Sequence, residues 1–87
     1  MKANPSRYQE TLDILQEECA EVIQAVSKIR RFGIEGKHPN HDYNNREHLE
    51  EEVGDMLAMI DILVEQGVVE RQTLENFAIQ KKHKLKF

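Results

Sequence analysis

The sequence predicts an all-α fold: a three-helix protomer with long antiparallel helices, whose core is completed by homo-oligomerisation. Three observations carry this. Apolar residues recur every three or four positions over two long stretches, the period of a helix with one covered face. Glycines that stop helices, Gly33 with Gly36 and then Gly67, fall where that period breaks. The third observation is a shortage. With 87 residues, no tryptophan and 39% hydrophobic residues, a core made by one copy is thin, so a second copy is expected to complete it. The length suits a single domain over residues 1–87.

Helix 1 is expected over about residues 5–31. Asn4-Pro5 offers a cap with proline in the first turn, and Ser6-x-x-Gln9 offers a capping box. Tyr8, Leu12, Leu15, Cys19, Val22, Val26 and Ile29 follow at helical spacing, and at about 1.5 Å per residue the helix reaches about 40 Å. Arg30 and Arg31 in its last turn complement the helix dipole. Residues 32–45 read as a loop, rich in the turn formers Gly33, Gly36, Pro39, Asn40, Asp42, Asn44 and Asn45. The loop carries Phe32, His38, His41 and Tyr43. His38-x-x-His41 has the spacing of half a metal site but is read as a solvated pair, since little else supports zinc.

Asn44 with Glu47 repeats the capping pattern and opens helix 2, about residues 46–66, which Gly67 stops. The link through Val68 and Val69 is short, so helices 2 and 3 are expected as antiparallel neighbours. Helix 3, about residues 70–84, has a sparse stripe of Leu74, Phe77, Ala78 and Leu85. Lys81 falls in the middle of that stripe and Lys84 at its edge. Both suit either a fraying terminus with snorkelling stems or contact with phosphate; Lys82, His83 and Lys86 are read as solvent-facing.

The chemistry lies in a disguised repeat. Glu17-Glu18-Cys19-Ala20-Glu21-Val22-Ile23 returns as Glu51-Glu52-Val53-Gly54-Asp55-Met56-Leu57. With Cys19 at zero on a wheel of about 100° per residue, Leu12, Leu15, Val22, Ile23 and Val26 lie within about 60° of it. With Val53 at zero, Leu49, Met56, Leu57, Ile60 and Val64 occupy the same arc. Glu18 and Glu52 then stand at about 260°, Glu21 and Asp55 at about 200°, at the edge of each stripe. If those edges face one another, four carboxylates surround one hard cation, and oxygen ligands in that number suit Mg²⁺. Without a cation, converging acids repel. Ala20 and Gly54 are read as small residues that let the helix backbones approach, because glycine within a helix costs about 0.5–1 kcal/mol relative to alanine.

Composition excludes several classes. The formal charge is −4 and the basic residues gather at the C-terminal end, which argues against nucleic acid as the main partner. Cys19 is the one cysteine, so no disulfide forms within a chain and a reducing cytoplasm is expected. Its place in the stripe suits a small buried hydrophobe better than an activated nucleophile. Met1 to Ser6 lack a signal-type apolar core, and no apolar run is long enough for a membrane span. No glycine-rich phosphate loop is present.

Glu17-Glu18-x-x-Glu21, a spacer of roughly thirty residues and then Glu52-x-x-Asp55 resembles the signature of the MazG-like, all-alpha nucleoside triphosphate pyrophosphohydrolases. The small residues Ala20 and Gly54, the Glu51-Glu52-Val53-Gly54-Asp55 form of the second half and the lysine-rich helix after it add to the likeness. The resemblance implies Mg²⁺, with Mn²⁺ as a substitute, held by Glu18, Glu21, Glu52 and Asp55. It also implies water directed at the α-phosphorus of a (d)NTP to give (d)NMP and pyrophosphate, and a four-helix-bundle-type core completed by assembly as a homodimer or homotetramer. Glu18 takes a catalytic role, orienting the water, and Glu17 either supports it from farther out or binds an additional metal from a neighbouring helix; Lys81 and Lys84 match the family's substrate-binding basic positions. The loop's aromatics and amides suit the wall of a nucleobase pocket. The alternatives are a non-catalytic helical dimerisation module and a nucleotide-sensing module that retains the fold.

Overall fold

The computed structural model describes residues 5–37 and 39–86; the cap expected at Asn4 and the His38 member of the histidine pair lie outside them. Three helices follow in order, α1 (Pro5–Phe32), α2 (Asn45–Glu65) and α3 (Arg71–Leu85). Among the described residues the one departure from helix and turn is an isolated antiparallel bridge between Lys37 and Asn44, so the fold is all-α.

The turn between α1 and α2 is tied down residue by residue. Gly33 takes a positive φ of 88° and its N–H donates to the Ile29 carbonyl at 2.7 Å, closing α1. The buried Asn45 side chain donates to the Gly33 carbonyl at 2.9 Å, while its backbone N–H donates to the Gly36 carbonyl at 2.8 Å. A side chain at Gly36 would press within 2.5 Å of the Phe32 carbonyl oxygen, which is why glycine stands there. Asn44 caps α2 through a complete capping box: its side chain accepts from the Glu47 N–H at 2.9 Å and its N–H donates to Glu47 at 3.0 Å. Glu35 pairs with Arg46 and accepts from Asn44 at 3.2 Å.

Helices α1 and α2 pack along their length. On α1 the positions Tyr8, Thr11, Leu15, Glu18, Val22, Ala25 and Ile29 are buried or half-buried, and so are Asn45, Leu49, Glu52, Met56, Met59, Leu63 and Gln66 along α2. Spacings of three and four alternate through both sets, the repeat of a coiled-coil seam. On the wheel this covered face centres near 280°, about 80° round from Cys19 or Val53 toward the acids. The apolar stripe expected to be buried is therefore half open: Leu12, Val26, Leu57 and Ile23 are exposed, Ile23 at 67%. The cause is geometric, because a stripe wider than about 100° has room for more than one neighbour and a single partner helix covers one edge of it.

Ala20 and Gly54, expected at the close approach, are exposed, and a side chain added at Gly54 would meet nothing within 4 Å. Ala25, fully buried, is the small residue of the seam. Helix α3 makes sparse backbone contact with the other two and buries none of its residues. Arg71, at its start, pairs with Asp61 at 2.8 Å across exposed surface. An open groove of about 420 Å³, lined by Leu15, Leu57, Ile60, Leu63, Leu74 and Ala78 among others, separates it from the α1–α2 pair. The radius of gyration, 15.7 Å, exceeds the roughly 12 Å of a compact chain of this length.

Candidate metal centre

The seam brings the acids together. Glu18 from α1 meets Glu52 and Asp55 from α2, and one ligand atom from each lies within 4.8 Å of the other two. Glu52 and Asp55 share an edge because residues three apart are neighbours on a helix surface. Glu18 reaches them because it occupies the same angular position on α1 as Glu52 does on α2, and the tied turn sets the register. Glu18 and Glu52 are half-buried and Asp55 is exposed, so the group is open to solvent on one side.

The donor set fits a hard divalent cation. Around an ion held at about 2.1 Å, octahedral oxygen ligands lie about 3 Å apart when adjacent and about 4.2 Å when opposite. Oxygens already within 4.8 Å of one another need only small side-chain rotations to reach such an arrangement. Three carboxylates and no nitrogen or sulfur donor favour Mg²⁺, Mn²⁺ or Ca²⁺ over zinc.

Electrostatics mark Glu18 as the focus. Partial burial, and then the charges of Asp55, Glu52, Glu21 and Glu17, hold its carboxyl above the ordinary carboxylate range. Glu21 and Glu17 thus act on the site through their charge, although both are exposed and neither belongs to the group of three that converges within 4.8 Å. Lys81 and Lys84 lie exposed on α3, whose backbone makes little contact with the helices that carry the acids. Cys19 is half-buried.

One residue beside the cluster carries no sequence signal beyond its spacing. His48 stands four residues before Glu52, with Nε2 3.4 Å from a carboxylate oxygen of Glu52. Tyr43 packs on it with ring centroids 5.7 Å apart, and His41 stacks on Tyr43 at 4.8 Å. Loop aromatics thereby extend to the edge of the acid cluster. A glutamate and a histidine at i, i+4 on an acidic helix form an ordinary surface pattern, and only the burial of this pair sets it apart.

Among the described residues no helix is long and apolar enough to cross a membrane. A family model described as the MazG nucleotide pyrophosphohydrolase domain matches residues 6–85, a span that contains all the acids of the cluster and α3. No curated protein and no solved structure matches the chain.

Proposed function

Since the chain belongs to the MazG nucleotide pyrophosphohydrolase family, we propose that it is a divalent-metal-dependent nucleoside triphosphate pyrophosphohydrolase that converts a (d)NTP and water to (d)NMP and pyrophosphate. The observation that carries this reading is the convergence of Glu18, Glu52 and Asp55 from two helices to within 4.8 Å. Those three, joined by Glu21 one turn along α1, would hold Mg²⁺, with Mn²⁺ as substitute. The cation, when bound, supplies positive charge against the phosphate oxygens and acidifies water in the site.

The chain's own groups account for the rest. Glu18 orients the attacking water and takes its proton. The water oxygen bonds to the α-phosphorus, the bond from that phosphorus to the bridging oxygen breaks, and pyrophosphate leaves. Glu17 supports Glu18 from the solvent side. Lys81 and Lys84 offset charge on the phosphate tail.

The same reading includes a homodimer or homotetramer in the cytoplasm. Its support is the open side of the stripe, where Ile23, Val26 and Leu57 leave apolar surface that a second copy would cover.

The test is a panel of common nucleoside triphosphates incubated with the protein and Mg²⁺, with products resolved by anion exchange. Equimolar monophosphate and pyrophosphate are expected, and both are lost in Glu52→Gln and Asp55→Asn while far-UV circular dichroism is unchanged. Orthophosphate with diphosphate as the products would refute cleavage at the α-phosphorus. Absence of turnover and of any Mg²⁺-dependent change in melting would leave a helical assembly module.

A further inference from the structure

Three contacts between basic and acidic side chains stand out on the described surface, and one differs in kind. The side chains of Arg46–Glu35 are 55% and 63% exposed and those of Arg71–Asp61 are 53% and 56% exposed, whereas those of His48–Glu52 are 11% and 13% exposed. Exposed pairs of the first sort are screened and hold neither partner in place. A covered imidazole against a covered carboxylate does hold it, since neither side chain has water as an easy alternative partner. The imidazole Nε2 lies 3.4 Å from one oxygen of the Glu52 carboxylate, the carboxylate that also meets Asp55 and Glu18.

The imidazole is itself fixed. His48 lies in the first turn of α2, its backbone N–H donating to the Asn44 carbonyl at 3.0 Å, immediately after the capping box that sets where the helix starts. The Tyr43 ring packs on it from the loop, and His41 backs Tyr43. The loop and the first turn of α2 thus converge on one carboxylate of the cluster, against the repulsion that would otherwise swing Glu52 away from its acidic neighbours.

We propose that His48, braced by Tyr43, is a positioning residue that holds the Glu52 carboxylate in the orientation needed to ligate the divalent cation. The role rests on the reading of Glu18, Glu52 and Asp55 as metal ligands. It adds to that reading the reason one ligand is already oriented before the ion arrives. Partners that orient a ligand in this way are worth on the order of 10- to 100-fold in metal affinity.

The test is Mn²⁺ binding to the full chain, by isothermal titration calorimetry without nucleotide, in the parent, His48→Leu, His48→Gln, Glu52→Gln and Glu51→Gln. Helicity is checked in each by circular dichroism in chelator. His48→Leu should raise the Kd about tenfold. His48→Gln, which restores an N–H donor at similar reach, should recover most of that loss, and Glu51→Gln should match the parent. An unchanged Kd in His48→Leu while Glu52→Gln abolishes binding overturns the positioning role alone. Equal losses in His48→Leu and His48→Gln overturn it as well, because they assign His48 to packing. If Glu52→Gln binds Mn²⁺ as the parent does, the carboxylates are not the ligands, and the reading beneath the proposal falls with it.

Discussion

Removing one carboxylate while titrating Mg²⁺ separates a metal centre from a charged helix flank. Three carboxylates whose ligand atoms lie within 4.8 Å favour the folded chain whenever a cation binds it and not the unfolded chain. At a free Mg²⁺ concentration of about 100 times Kd the gain is about 2.7 kcal/mol. For a domain of this length each kcal/mol moves the melting temperature by about 4–8 °C, so the rise from chelator to saturating Mg²⁺ should be roughly 10–20 °C. Glu52→Gln deletes a charged ligand, and a tenfold loss of affinity removes about 1.4 kcal/mol of that gain. Glu51→Gln removes the same charge from the adjacent, exposed position, which lies outside the cluster. Differential scanning fluorimetry in chelator and across a Mg²⁺ series reads all three proteins. Equal Mg²⁺ shifts in Glu51→Gln and Glu52→Gln would show that the ion responds to overall charge and would sink the assignment of ligands.

The remaining expectations concern the metal-free chain and its assembly. Because the folded-state pKa of Glu18 is raised, the native chain binds more protons than the unfolded one between the ordinary carboxylate value and the raised one. Its contribution to stability is therefore complete below the ordinary value and is lost as pH rises through the raised one. Melts in chelator from about pH 4 to about pH 7 should show that decline, and Glu18→Gln should flatten it. Gly54→Ala, in a helix interior with open space beside it, should stabilise the chain by about 0.5–1 kcal/mol, read by chemical denaturation; a loss instead would place another surface against Gly54. Ile23→Glu puts a charge on the open stripe and should shift the mass seen by light scattering from oligomer to monomer; an unchanged mass would move the assembly surface elsewhere.

Much of the fold was legible because helix period and stop glycines are local signals. The spacing of Leu12, Leu15, Cys19 and Val22 marks one face, and Gly33, with its positive φ, ends α1 where the period breaks. The capping box at Asn44 and Glu47 is equally local and forms as its residues suggest. Which edge of a broad stripe meets the neighbour is not local. It depends on the register set by Asn45 reaching back to Gly33, a contact between residues with no shared pattern. Hence Ile23 lies open and Ala25 buried, against the expectation that centred the covered face on Cys19. The paired acids were visible as a repeat because both helices carry them at matching wheel positions. His48 was not, since its role depends on burial beside Glu52 and on Tyr43 arriving from the loop. Gly54 drew attention as a costly residue, and nothing in the structure explains it.

The seam itself supplies the strongest physical reason to regard Glu18 and Glu52 as functional. Along α1 its neighbours in the 3.5-residue repeat are Leu15 and Val22, and along α2 those of Glu52 are Leu49 and Met56. A leucine at either glutamate would continue the seam and bury apolar area. The glutamates instead bring like charges from both helices to the same level, with Asp55 beside them, and raise the pKa of Glu18 in doing so. A chain that buries so little, with Ala25 and Leu63 as its buried apolar residues among those described, has little stability to give up. Local pattern and global fold agree at the neighbouring positions and conflict at these two, and such conflicts concentrate at sites under selection for function. A divalent cation bound there would resolve the conflict, turning the repulsion across the seam into a bridge between α1 and α2. On this view a bound metal would serve the packing as much as the chemistry.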